Sequence, residues 1–104
     1  MAQFDVYTNP MADQRVRIPY WLDLQSDHIS QLNTRVIIPL RSLKNMGPHI
    51  EGLQPIVTVG KLSLCADVPS LASFPSRLLK APVARIEAQR HELVAALDYL
   101  ISGF

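Results

Sequence analysis

Apolar and polar positions alternate from the start of the chain. Phe4, Val6 and Thr8 fall on one side and Asp5 and Tyr7 on the other, which predicts a short strand. Asn9-Pro10-Met11-Ala12-Asp13-Gln14 reads as a turn or loop. The clearest alternation follows. Val16, Ile18, Tyr20, Leu22 and Leu24 point one way, and Arg17, Pro19, Trp21, Asp23 and Gln25 the other. That pattern predicts a long strand with one buried face. Pro19 has no N–H to give to a ladder and marks an edge or a bulge. Ser26-Asp27-His28-Ile29-Ser30 is a polar turn carrying one exposed isoleucine. The β-branched run Val36-Ile37-Ile38 puts a central strand over residues 34–40, ending at Pro39.

Residues 41–53 are irregular, with Gly47, Pro48 and Gly52 as punctuation. Residues 55–59 form another β-rich run, and Gly60-Lys61 turns it as a hairpin into Leu62-Ser63-Leu64-Cys65. A short strand over residues 71–74 stops at Pro75. Then the period changes. Pro82 suits the first turn of a helix. Val83, Ile86, Leu93, Val94, Leu97, Leu100 and Ile101 recur at helical spacing, interrupted on that face by Arg90. The prediction is an amphipathic helix of about five turns, ended by Gly103. The expected architecture is mainly β: a small, bent antiparallel sheet of short strands that closes into a barrel, plus one C-terminal helix.

Composition narrows the class. The chain has 104 residues, which predicts a single domain over 1–104. A hydrophobic fraction of 48% with 18% charged residues argues against disorder. The net charge is +1, without the basic excess of a nucleic-acid binder. Cys65 is the only cysteine, so an internal disulfide and a multi-thiolate zinc site are both excluded, and a reducing compartment is expected. No apolar run approaches the ~20 residues of a membrane span, and the N-terminus does not read as a signal peptide. The expectation is a cytoplasmic protein without a membrane, gaining buried surface as a homodimer.

Catalytic patterns are missing from the sequence. It has no G-x-S-x-G, no glycine-rich phosphate loop and no H-E-x-x-H. His28, His49 and His91 lie too far apart for a local metal motif and read as surface histidines. Arg90-His91-Glu92 reads as a solvated stripe, and Cys65, between Leu64 and Ala66, as a buried, inert thiol. No catalytic residue, metal or cofactor is expected, and the protein is not expected to be an enzyme. Trp21, on the polar side of its strand, is either a partner anchor or a cover for a dimer interface or second sheet. The end, Leu100-Ile101-Ser102-Gly103-Phe104, is apolar where chain ends are normally polar and frayed. It either folds back onto the core or a symmetry mate, or inserts into another protein.

Six stretches in order carry a resemblance. They are Gln3-Phe4 with Val6-Tyr7-Thr8; Asp23-Leu24-Gln25-Ser26-Asp27; Arg35-Val36-Ile37-Ile38-Pro39-Leu40; Pro55-Ile56-Val57 with Val59-Gly60; Leu71-Ala72-Ser73-Phe74-Pro75; and the helix ending in Gly103 plus one residue. With these, the chain resembles the CcdB family, the toxin half of type II toxin–antitoxin pairs that poison DNA gyrase. The resemblance implies an SH3-like barrel of bent antiparallel strands with a C-terminal α-helix, the toxin fold shared with the MazF and Kid ribonucleases. It also implies a homodimer whose two helix tips project on one face and enter the cleft of the gyrase A subunit dimer. There the toxin traps gyrase on cleaved DNA by selecting one state, so it needs no catalytic residue.

Carried over residue by residue, the resemblance puts gyrase contacts at Ser102, Gly103 and Phe104, at His28 and Ile29 after the Gln-Ser-Asp turn, and at Asp98 with Ile101. The tip keeps Gly103, but Ser102 stands where the best-known pattern has Trp, and Phe104 where it has Ile. His28 replaces an aliphatic residue. A buried Trp carries ~2 kcal/mol or more at an interface, so its loss implies binding weaker by about thirtyfold unless Phe104 compensates. A CcdA-like antitoxin, disordered until it folds on the toxin, is implied along the loop after the first strand, at Pro10, Met11, Asp13 and Arg15. DNA is reached only through the antitoxin complex, which represses its own transcription. Two alternatives stand beside this reading. One is a homologue with weakened or lost gyrase activity that still binds an antitoxin. The other is a MazF-like mRNA endonuclease, which would use Asp13, Arg15 and Arg17.

Overall fold

A computed structural model describes residues 2–29 and 31–103 and omits the side chain of Asn45; the contact expected of Phe104 therefore lies outside the described residues. Among the described residues, seven strands precede one α-helix. They are β1 (Asp5–Thr8), β2 (Tyr20–Asp23), β3 (Thr34–Ser42), β4 (Ile56–Val59), β5 (Leu62–Ala66), β6 (Ala72–Pro75) and β7 (Ala84–Arg85), followed by α1 (Arg90–Ser102). The sheet order is β4-β5-β3-β2-β1-β7, with β6 also paired to β3. All pairings are antiparallel. The sheet curls into a nearly closed barrel with α1 at the chain's end, the architecture expected from the alternation.

β3 is the pivot. Its first half pairs β6, from Thr34↔Pro75 to Ile37↔Ala72, and its end pairs β5, from Leu40↔Ala66 to Ser42↔Leu64. β2 takes the other edge, from Tyr20↔Leu40 to Asp23↔Ile37. The prediction ended this strand at Pro39, but it continues to Ser42. Pro39 falls where the edge passes from β6 to β5, so its missing N–H interrupts no pairing there. One face of the sheet closes on a core of Val6, Leu22, Ile38, Leu40, Val57, Leu64 and Val68, to which Ile86, Leu93 and Ala96 are added from the end of the chain.

Two predicted elements are shorter than expected. The alternation from Val16 to Gln25 yields only β2, and Val16 is 78% exposed. Asn9 is the reason. Its buried side chain donates to the Ile18 carbonyl at 2.9 Å and accepts from the Met11 N–H at 2.8 Å. These bonds tie residues 10–18 into a loop before the strand begins. The C-terminal helix begins at Arg90, not at Pro82. Val83 and Ile86 donate instead to the carbonyls of Val6 and Phe4, because β1 offers an open edge that β7 fills. Arg90 sits on the apolar side because its guanidinium lies 5.7 Å over the ring of Phe4.

The second face of β2 is not solvated, contrary to the single buried face expected. Trp21, Asp23 and Gln25 are all buried. Trp21 lies against Phe74 of β6, ring centroids 4.3 Å apart. It thus covers its own sheet, and the partner-anchor reading gives way to this packing.

Candidate functional site

The helix tip is built by a backbone device. Gly103 adopts φ +78°, the left-handed conformation that stops a helix, and its N–H donates to the Tyr99 carbonyl at 2.9 Å. Leu93 and Ala96 hold the helix on the core. Further along, Tyr99, Leu100 and Ile101 emerge into solvent, Ile101 being 74% exposed. Asp98 and Ser102 are exposed beside them. The helical spacing puts Leu100 and Ile101 on the buried stripe, but both are at the surface, because the helix's buried residues are Leu93 and Ala96, further back. Tyr99 was not among the expected contacts, and it lies over Gly52 of the neighbouring loop. Its only signal in the sequence was an aromatic near an apolar chain end.

His28 and Ile29 are exposed on a short 3-10 turn, Asp27–Ile29, between β2 and β3. A buried polar network holds this turn from below. Arg35 donates from Nε to Asp23 Oδ2 at 2.8 Å and from Nη2 to the Gln25 carbonyl at 3.3 Å. Gln25 accepts from the Val36 N–H at 3.1 Å and donates to the Ile29 carbonyl at 3.1 Å. Asp27 accepts from the Gln3 N–H at 2.8 Å. Burial pushes the Asp23 carboxyl above its usual range, while the bonds from Arg35 and the Gln25 N–H pull it back. No hydrogen bond joins this turn to the helix tip among the described residues.

The expected antitoxin residues divide between two clefts. Pro10 and Arg15 line one of about 200 Å³ together with Leu78, Lys80 and Ala81. Asp13 lines another with Arg17 and Arg41. Met11 is half-buried and tied to Asn9. A third cleft, of about 480 Å³, lies between residues 49–56 and Glu92 and Ala95 of the helix.

Among the described residues, no cluster of three or more His, Cys, Asp or Glu side chains is arranged to hold a metal. His28, His49 and His91 are exposed. Cys65 is buried, and burial with the nearby Asp67 charge pushes its thiol up to about 11. It is a core side chain, as expected. No described helix is long and apolar enough to cross a membrane.

The molecule is a small curled barrel with an exposed apolar helix tip. The comparison with known families agrees: the model described as CcdB protein matches residues 3–103. The chain belongs to the CcdB family. That family comprises toxins of toxin–antitoxin pairs, which are gyrase poisons and not classical enzymes.

Proposed function

We propose that this protein is the toxin of a type II toxin–antitoxin pair and acts on the A subunit of DNA gyrase. The observation that carries the reading is the exposed apolar tip, Tyr99 to Ile101, stopped by Gly103 on a CcdB-family helix. Three successive large apolar side chains exposed at a helix end suit an interface better than open water. Two copies related by a two-fold axis present two such tips to a two-fold target. Asp98, Ile101, Ser102, Gly103 and Phe104 form the tip contact, with His28 and Ile29 as a second one. The toxin binds the state of gyrase that is covalently joined to cleaved DNA more tightly than the resealed state, and so accumulates it. A cognate antitoxin folds over the loop at Pro10, Met11, Asp13 and Arg15 and releases the target. The complex represses its own promoter, with the antitoxin touching DNA, and the setting is the cytoplasm.

A second reading has a specific observation behind it. Ser102 puts a small polar side chain at the tip, where a large aromatic would add most to affinity. On that reading the chain keeps its antitoxin and has lost gyrase. Incubation of the protein with purified gyrase, ATP and supercoiled plasmid, followed by detergent and protease, separates the two. Linear DNA that Ile101→Lys and Gly103→Glu fail to produce supports the gyrase reading. Absence of linear DNA at micromolar wild-type protein, with the fold verified by circular dichroism, overturns it.

A further inference from the structure

One end of the sheet is covered by a side chain. β4 stands last in the sheet order, and among the described residues its one strand neighbour is β5. Along an edge strand the backbone groups alternate, facing the neighbour and then facing out. The Pro55 carbonyl faces β5, where it accepts from the Ala66 N–H at 2.9 Å, so the groups of Ile56 and Thr58 face out. Gln89, a few residues beyond β7, reaches both of them. Its Nε2 donates to the Ile56 carbonyl at 3.0 Å, and its Oε1 accepts from the Thr58 N–H at 3.0 Å. A carboxamide carries the same donor and acceptor as a peptide group. It engages β4 as one residue of an added strand would. Gln89 holds the N-cap position of α1, yet its side chain makes no capping bond to the helix. It is committed to the strand instead.

We propose that the Gln89 carboxamide guards the open edge of β4, and that a second copy of this chain pairs there, β4 against β4, when the guard is removed. The inference is independent of what the helix tip binds. An unpaired strand edge is a template for another strand. This edge suits its own copy. Residues 56–59 read Ile-Val-Thr-Val, β-branched throughout, with no charge and no proline to oppose pairing. Two such edges related by a two-fold axis run antiparallel, so each presents the same groups to the other.

The test compares the full chain with Gln89→Leu, which keeps the bulk and deletes both bonds, by amide exchange and sedimentation velocity. In the wild type the Thr58 amide is expected to be protected although its strand lies at the edge. Exchange there at the rate of a free peptide would overturn the guard without any variant. In Gln89→Leu that amide is expected to exchange about fivefold faster or more. Species of twice the wild-type mass are expected to grow with concentration, over a range in which the wild type holds one mass. Thr58 is exposed, so Thr58→Lys adds a charge to the edge without burying it. Combined with Gln89→Leu, it sets like charges against each other across a β4–β4 pair and is expected to restore the wild-type mass. General loosening of the fold would not be reversed in this way. A Gln89→Leu protein that keeps the wild-type mass at every concentration, or that associates equally with and without Thr58→Lys, overturns the guard. Loss of the barrel's circular dichroism in Gln89→Leu also overturns it, by making Gln89 a support of the fold.

Discussion

Asp23 and Arg35 meet between β2 and β3 with 2.8 Å from Oδ2 to Nε, and neither side chain reaches solvent. Two charges withdrawn from water are tolerated only because each completes the other. Asp23→Asn removes one charge and strands a buried guanidinium, whose next carboxylate, on exposed Asp27, is 4.0 Å away. The expected loss is about 3–5 kcal/mol of unfolding free energy, read as a lower urea midpoint at unchanged slope. The paired change Asp23→Leu with Arg35→Met leaves no orphan charge. It is expected to recover at least half of that loss, and a double variant as unstable as the single one would show that the pair is more than mutually compensating.

The same network reaches the surface through Gln25. Its Nε2 donates to the Ile29 carbonyl at 3.1 Å, which fixes the exposed turn relative to β3. Gln25→Leu keeps the bulk and deletes two bonds, the one to Ile29 and the one its Oε1 accepts from the Val36 N–H. The bond to Ile29 is worth about 1 kcal/mol, or roughly fivefold in local opening of the turn, and the orphaned Val36 N–H adds a cost at the start of β3. Amide exchange at His28, Ile29 and Leu32 is therefore expected to quicken about fivefold while β4 and β5 exchange as before. Uniform acceleration across the barrel would mean that Gln25 supports the fold and not the turn in particular.

These two pairs also mark what was and was not legible in the sequence. The strands at Val6 and Leu22 were legible because each alternates against one core, and those at Ile38 and Val57 because their runs are β-rich and apolar. The hairpin at Gly60 and the helix stop at Gly103 were legible because both need a positive φ, found at +62° and +78°. Burial of Asp23 and Arg35 was not, because alternation assigns polar residues to solvent and says nothing of what covers the second face. The start of the helix was misread for a related reason. Val83 and Ile86 are three residues apart, which suits a helix equally well, but the open edge of β1 captures their N–H groups. The gyrase and antitoxin residues came from family resemblance, since a contact surface has no local pattern of its own. Lys80, which lines the same cleft as Arg15, lies sixty-odd positions away in the chain and joins it only with the fold.

Tyr7 makes a pH-dependent case. Its hydroxyl is buried beside the Asp5 carboxylate, which it approaches without completing a well-formed hydrogen bond among the described residues. Burial, then the charges of Asp5 and Asp23, push its ionisation from 10.0 up to about 12. Between those values the folded protein keeps a proton that the unfolded chain releases. Stability is therefore whole below about pH 10 and falls as pH rises towards 12, by at most about 2–3 kcal/mol from this group. Tyr7→Phe removes both the ionisation and a buried hydroxyl with no well-formed bond to lose. Thermal midpoints are expected to match or exceed wild type at pH 7, and to decline less between pH 10 and 12. A Tyr7→Phe protein that is clearly less stable at pH 7 would reveal a hydroxyl partner.

Gly103 separates the shape of the tip from its stability. Among the described residues, no atom outside its chain neighbours and its own helix lies within 4 Å of where a Cβ would stand, so Gly103→Ala meets no clash with the rest of the fold. Its cost is the left-handed backbone at φ +78°, about 1 kcal/mol for an L-residue. Nothing buried depends on the last turn, since Leu93 and Ala96 make the helix's core contacts further back. The cost therefore falls on fraying of the turn that displays Ile101, and the thermal midpoint is expected to hardly move. If the capped turn is what gyrase recognises, the concentration giving half-maximal plasmid linearisation should rise about fivefold. A D-alanine at the same position, introduced by ligating a synthetic C-terminal segment, has the opposite backbone preference and adds the same methyl group. It should restore wild-type potency. An L-alanine protein as potent as wild type would detach the cap from the activity, and equal losses with both alanines would assign the effect to the methyl group.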